Sequence, residues 1–184
     1  MVFVNSKAVA DRAPAQAFAD LDPERDVELV LAFLNTCDAE AGTEMLGTAE
    51  SWRQWCAGQG LGAAEAPGRA QDIRDAMRHA VSCDHAAFPP ESAPGSPMSW
   101  NVPVVLRDGI PVLAGADALG RVLVAAVHLV HTGHWDRIKI CPASNCLWAF
   151  YDRSRNKSRT WCSMRVCGNR EKARSWRERH TAPG

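Results

Sequence analysis

Cys141 and Cys146, then Cys162 and Cys167, are the residues of this chain best suited to chemistry, because they form two pairs of identical spacing. Each pair encloses four residues and fifteen residues separate the pairs. Two short knuckles of this kind present four thiolates to one tetrahedral zinc ion. Four sulfur ligands leave no open position for water, so the chemistry expected is structural: one zinc ion whose binding energy is folding energy for a small polar segment. Arg165 and Arg170 stand close enough in sequence to offset the excess negative charge of four thiolates on a divalent ion.

The surroundings of the cysteines are strongly basic. Residues 137–180 carry twelve Lys and Arg against three Asp and Glu, whereas residues 1–136 carry nine against eighteen, so a formal net charge of zero hides two oppositely charged parts. Arg153, Arg155, Lys157 and Arg159 alternate through the segment between the knuckles, and Arg170, Arg174 and Arg177 recur at helical spacing after the last cysteine. A one-sided cationic surface with Ser, Thr and Asn among the arginines fits phosphate contact, and DNA is the expected partner.

Other constellations are weaker. His128, His131 and His134 are spaced three apart, but no Glu or Cys accompanies them in a zinc-hydrolase order, and a helix C-terminus welcomes histidine through its dipole. No Ser-His-Asp order, phosphate-binding glycine loop or paired acid-base motif is present, so no enzymatic activity is expected. In the first part, Asn35, Thr36, Arg74 and Arg78 are polar groups beside apolar segments and are candidates to line a pocket for a small-molecule effector.

The elements that must position these groups are mostly helical. Asp22-Pro23 opens a helix with an N-cap and a proline at the first position, and Val27, Val30, Leu31 and Leu34 form its buried stripe up to Asn35-Thr36. A second helix follows Thr48, with Trp52, Trp55 and Cys56 on one side and Gly58 and Gly60 at its end. A third spans 68–83, with Ile73, Met77 and Val81 as its apolar ridge and Arg74 and Arg78 on a more exposed stripe. Residues 89–97 hold four prolines and read as a surface loop. Asp108-Gly109 between two apolar runs, 102–106 and 110–113, signals a hairpin whose Pro103 and Pro111 confine it to short edge strands. A long apolar helix spans 117–131, carrying Leu119, Val122, Leu123, Ala126, Val127 and Val130, and stops at Gly133. Between the knuckles, 147–151 and Thr160-Trp161 read as two strands joined by a turn over 152–159. The last helix begins at Gly168-Asn169-Arg170 and runs to His180, with Ala173 and Trp176 facing the hairpin.

At 184 residues the chain can bury a substantial core. It has no apolar run of about 18 residues, so no membrane span is expected, and residues 1–10 lack the order of a secretory signal. A cytoplasmic protein is expected. An odd count of seven cysteines agrees with that compartment, and Cys37, Cys56 and Cys83 read as small buried side chains.

Cys167-Gly168-Asn169-Arg170, preceded by Cys141 and Cys146, by 150–156 (Phe-Tyr-Asp-Arg-Ser-Arg-Asn) and by 159–164 (Arg-Thr-Trp-Cys-Ser-Met), closely resembles the CGNR zinc-finger family. The preceding part resembles the ABATE domain, described as a stress-induced transcription regulator, through Leu34-Asn35-Thr36, Trp55 with Gly60-Leu61, and Ile73-Arg74 with Met77-Arg78. The resemblance implies a zinc-containing, DNA-binding regulator with the four cysteines as ligands. The expected architecture is mainly α with a small β-hairpin: a helical domain over 1–136, sensing a ligand or pairing subunits as a homodimer, and a basic, treble-clef-like zinc module over 137–184. The alternatives are a small-molecule-binding protein, or a protein-interaction module, in which the zinc only braces the fold.

Overall fold

The computed structural model describes residues 22–62, 64, 66–82 and 99–181. The expected loop over 89–97, the fate of Cys83 and the reading of residues 1–10 lie outside them. Helix α1 (Pro23–Leu34) starts as its sequence dictates: the Asp22 side chain accepts the Glu24 amide and Pro23 occupies the first turn, where no donor is missed. Its Val27, Val30, Phe33 and Leu34 are buried. A short hairpin of β1 (Cys37–Asp38) and β2 (Thr43–Glu44), which the sequence analysis does not anticipate, follows it. Helix α2 (Ala49–Gly58) opens on a capping box in which Thr48 and Ser51 satisfy each other's amides. Helix α3 (Pro67–Val81) lies next, then the hairpin of β3 (Val104–Arg107) and β4 (Ile110–Leu113). Asp108 and Gly109 both have positive φ, 53° and 81°, as a two-residue type I′ turn requires.

Helix α4 (Ala118–His131) is the centre of the fold and packs along α1. Its end is a Schellman motif: Gly133, at φ 71°, donates to the Val130 carbonyl and His134 to that of Leu129. Its circumference is less buried than the sequence leads one to expect. Leu119 and Val122 are fully buried, but Val130 is 55% exposed and Val127 is also exposed, so the helix is apolar on more of its surface than it buries.

Two apolar clusters meet along α1 and α4. One gathers Phe33, Leu46, Trp52, Cys56, Ile73, Leu119 and Val122, with Trp52 stacked on Trp55 at 5.2 Å between centroids. The other joins Val27, Val30, Leu34, Val81, Ala125 and Leu129 to Ile138, Ile140 and Ala149. These last three belong to β5 (Ile138–Ile140) and β6 (Ala149–Tyr151), an antiparallel pair that flanks the first knuckle. The expected pairing of 147–151 with Thr160-Trp161 is therefore wrong. The knuckle itself turns the chain, and Ile138 and Ile140, spaced by two, bury one face of the upstream strand against the helices, so β6 finds its partner there. Helix α5 (Asn169–Thr181) ends the described chain.

Candidate metal centre and basic surface

The hairpin β5–β6 supplies Cys141 and Cys146 from its connecting knuckle, and a single π-type turn, Met164–Gly168, carries Cys167 into the start of α5. Knuckle, loop, second ligand pair and helix succeed one another on a treble-clef-like plan. Ser163 caps the π turn by accepting the Val166 amide. Gly168 lets that turn close: a Cβ there would stand 2.5 Å from Met164 Sδ and 3.1 Å from Trp161 Cδ1.

The four cysteine sulfurs lie within 4.8 Å of one another. Cys146 Sγ is 3.5 Å from Cys162 Sγ, which is 3.6 Å from Cys167 Sγ. Sulfurs at about 2.3 Å from a central zinc occupy tetrahedral corners roughly 3.8 Å apart, so the cradle has the size of one zinc ion. Burial first, aided by Cys146 and Cys141 and opposed by the contact with Cys162, pushes the Cys167 thiol up to about 11. Burial and the other sulfurs raise Cys162 further, while Cys141 is lowered, its burial outweighed by hydrogen bonds. A cation among the sulfurs would hold Cys162 and Cys167 as thiolates against that burial. The fit extends to Arg170. Its Nη1 is buried without a hydrogen-bond partner, its charge acts on Cys167 and Cys146, and its Nη2 meets Glu40 Oε1 at 3.0 Å. A guanidinium thus balances the thiolates from outside the ligand shell while linking α5 to the β1–β2 turn.

Asp152 is the buried organiser that sequence analysis passes over, although it stands inside the motif at 150–156. It is fully buried; its Oδ2 accepts from Lys139 Nζ at 2.7 Å and the Arg159 amide at 2.9 Å, and its Oδ1 from the Ser154 amide at 2.8 Å. The segment 152–159 is wound around this carboxylate. Burial alone would raise its pKa, but Lys139 and the amides outweigh burial and hold it well below the usual carboxylate range. Its stabilisation is therefore complete above about pH 4, the unfolded value, and drains away as pH falls toward the depressed folded value. Replacing Asp152 by Asn leaves the half-buried Lys139 with only the carbonyls of Lys157 and Arg159 and without its counter-charge. The cost is expected at about 3 kcal/mol, read as a shift in the denaturant midpoint at neutral pH with unchanged slope.

The candidate DNA contacts all lie on this module, in different states. Arg153, Arg155, Lys157, Arg159, Arg174 and Arg177 are exposed and Arg170 is half-buried. Arg153 lies 3.6 Å from Glu24, Lys157 lies 3.4 Å from Asp136, and Arg174 lies 2.6 Å from Glu171 and 3.7 Å from Glu178. Arg159 folds back, donating to the carbonyls of Trp161 and Cys162 beside the ring of Phe150. Arg155 makes no ion pair among the described residues. Exposed pairs of this kind are worth at most about 1 kcal/mol each and do not commit the cations. The expected packing of Ala173 and Trp176 against the hairpin is not found: Ala173 is exposed and Trp176, 57% exposed, stacks on His180 of its own helix. That leaves α5 held mainly at its first turns, with the rest projecting into solvent.

The four pocket candidates are drawn into the joint between the helices and the first knuckle. Asn35 pairs with Ala149 like a neighbouring strand, donating to its carbonyl at 2.9 Å and accepting its amide at 2.7 Å, and it also lines a surface groove. Thr36 bonds the Phe33 carbonyl, and Arg74 reaches Thr36, Glu44 and Asp75. Arg78 donates at 2.6 Å to the carbonyls of both Leu34 and Leu147. Arg74 and Arg78, expected on an exposed stripe, are thus buried. The reason is local: Leu34 ends α1 with an unsatisfied carbonyl, and Leu147, at φ 52°, offers its own to the same long guanidinium. Burial on its own would lower Arg74, but Glu44 and Asp75 outweigh it and raise the group; at Arg78 burial prevails and the shift is downward.

The histidines part company: His128 bonds Asp26, His134 bonds the Tyr151 hydroxyl at 2.7 Å, and His131 is exposed. Among the described residues the four cysteines are the sole cluster of three or more potential metal ligands. No helix among them is long and apolar enough to cross a membrane.

Comparison with protein families divides the chain at the same joint. A family model described as "CGNR zinc finger" matches residues 137–180, and the ABATE model, described as "Putative stress-induced transcription regulator", matches residues 28–137. No curated protein matches the chain.

Proposed function

Because the chain belongs to the ABATE family and carries a CGNR zinc finger, we propose that it is a DNA-binding transcription regulator and not an enzyme. The zinc module would contact DNA, and the helical part would sense an effector or pair two copies. The single observation carrying this reading is the placement of charge. The zinc centre fixes a loop and a projecting helix that together expose Arg153, Arg155, Lys157, Arg159, Arg174 and Arg177, while most of the acidic residues lie before residue 137. Helix α5 is about 20 Å long at 1.5 Å per residue, enough to lie across a groove.

If about five of these cations meet phosphates, log affinity falls against log salt with a slope near −4.5. Charge reversal at Arg155 and Arg177 is expected to reduce that slope by roughly 2, because each removes about one phosphate contact. The variant should still hold one zinc per chain. Anisotropy titrations of a labelled duplex at several salt concentrations, with zinc content measured in parallel, test this; a salt-insensitive isotherm would sink the reading. Cytoplasmic location follows from the same reading. Sequence-specific control favours two copies on two half-sites, which sedimentation in the presence of DNA would reveal.

A further inference from the structure

The joint between the two parts contains a cleft that no role above absorbs. It measures about 330 Å³, near the lower bound of small-molecule sites, and lies between the first turn of α1 and the loop that follows β6. Pro23, Val27 and the ring of Tyr151 give it an apolar wall. Arg137, Arg153 and Arg155 bring three positive charges to it against one acid, Glu24. The lining is completed by Ser154 and the imidazole of His134. Its Nδ1 is engaged by the Tyr151 hydroxyl at 2.7 Å and the two rings lie 21° from parallel, while its Nε2 makes no hydrogen bond among the described residues.

We propose that this cleft binds a small organic carboxylate, with its carboxyl group on Arg153 and Arg155 and its apolar body on Tyr151, Val27 and Pro23. Three observations converge on that class. First, the arginines are available. Arg155 has no ion pair among the described residues, and Arg153, though 5.7 Å from the Tyr151 ring centre, meets only Glu24, at 3.6 Å in an exposed pair. Glu24 marks where a carboxylate belongs, and a pair so loose and so exposed is readily exchanged for a ligand carboxylate that can bond in the two-pronged manner of Arg. Second, the lining includes an apolar part beside the cations, which suits a ligand with a hydrocarbon or aromatic body over a bare inorganic anion. Third, the frame is rigid. Val27 is in the main core, and Arg137 is fixed by donating to the carbonyls of Asp152 and Ser154. The cleft also continues into a wider groove of about 540 Å³ along α1, sharing Val27, Tyr151 and Arg153 with it, so ligands longer than the cleft have room to extend.

The regulatory consequence rests on the reading above: Arg153 and Arg155 are also proposed DNA contacts, so an occupied cleft withdraws two cations from the DNA face. Carboxylate binding and DNA binding then oppose each other, reciprocally.

Benzoate is the probe, with benzyl alcohol as its uncharged counterpart, titrated calorimetrically into the full-length zinc-loaded protein. The expected result is saturable one-to-one binding of benzoate, at least tenfold weaker binding of benzyl alcohol, and at least a fivefold loss for Arg153→Gln and for Arg155→Gln. Lys172→Gln, which does not line the cleft, should bind as the parent does. Absence of saturable benzoate binding, equal binding of the alcohol, or indifference to both arginine variants would overturn the site. A second arm measures duplex affinity with and without saturating benzoate. Unchanged DNA affinity would overturn the antagonism. A protein that binds benzoate but no DNA would instead remove the regulator reading and leave the carboxylate site standing.

Discussion

Replacing Cys167 by serine is expected to remove zinc from the protein and to melt α5 with the second knuckle, while the helices α1 and α4 keep their packing. The distribution follows from where each ligand sits. Cys141 and Cys146 hang from β5 and β6, whose Ile138, Ile140 and Ala149 are already buried among α1, α3 and α4. Cys162 and Cys167 have no such support. The apolar cluster around them consists of the cysteines themselves with Ala143, Phe150 and Trp161, and the helix beyond is polar along its length. Without metal, burial and crowding favour the thiol form of Cys162 and Cys167, and the cluster loses its centre. Apparent zinc-binding free energies in such modules are about 10–16 kcal/mol, far more than a segment of this size can replace by packing. Circular dichroism should therefore lose the signal of one 13-residue helix. Hydrogen exchange should become fast over 153–181 and stay slow over 118–131, and metal analysis should fall from one zinc per chain to none. Chelation of the parent protein should reproduce all three. Slow exchange throughout α5 after complete zinc removal would refute the assignment of folding energy to the metal.

That asymmetry was legible in the sequence only in part. Paired cysteines, helix caps and the Asp-Gly turn are local signals, so Asp22, Thr48, Asp108-Gly109 and Gly133 all act as the sequence leads one to expect. Zinc spacing is similarly local within each knuckle, and the four sulfurs do meet. What escaped depends on partners distant along the chain. Arg74 and Arg78 read as exposed because a helical wheel shows a polar stripe, and it cannot show that the stripe faces the end of α1. Asp152 reads as a turn residue because nothing adjacent in sequence reveals that Lys139, thirteen residues upstream, reaches its carboxylate. The partner of the strand at 149–151 is equally hidden: Thr160-Trp161 is a β-like stretch one turn away, and only the burial of Ile138 and Ile140 against the helices selects 138–140 instead. Asn35 falls in the same class: a polar residue beside an apolar helical stripe reads as a pocket candidate, yet its side chain serves as a strand partner for Ala149, 114 residues away.

The joint between the two parts is where these long-range contacts concentrate, and Arg78 is its most heavily committed member. Replacing it by methionine keeps most of the aliphatic stem and removes the guanidinium, so the change isolates the loss of two short hydrogen bonds from the loss of packing. The carbonyls of Leu34 and Leu147 would be left without their charged donor in a region where Leu34 is fully buried. Hydrogen bonds from charged groups contribute about 1.5–3 kcal/mol each, and a buried acceptor left unpaired carries its desolvation cost besides. We expect about 3–5 kcal/mol of destabilisation and, at 2–4 °C per kcal/mol for a chain of this size, a fall in Tm of roughly 6–20 °C. Arg78→Lys, which retains the charge but can direct its donors to one carbonyl better than to two, should fall between the variant and the parent. A second consequence separates this residue from an ordinary core position. Arg78 bridges α1 and the knuckle directly, so its loss should split thermal unfolding, followed by zinc release and by helix signal, into two transitions displaced from each other. A midpoint within about 0.5 kcal/mol of the parent, the range of ordinary surface substitutions, would mean that water satisfies both carbonyls and that the joint is held by Asn35 and the apolar contacts of Ile138, Ile140 and Ala149 alone.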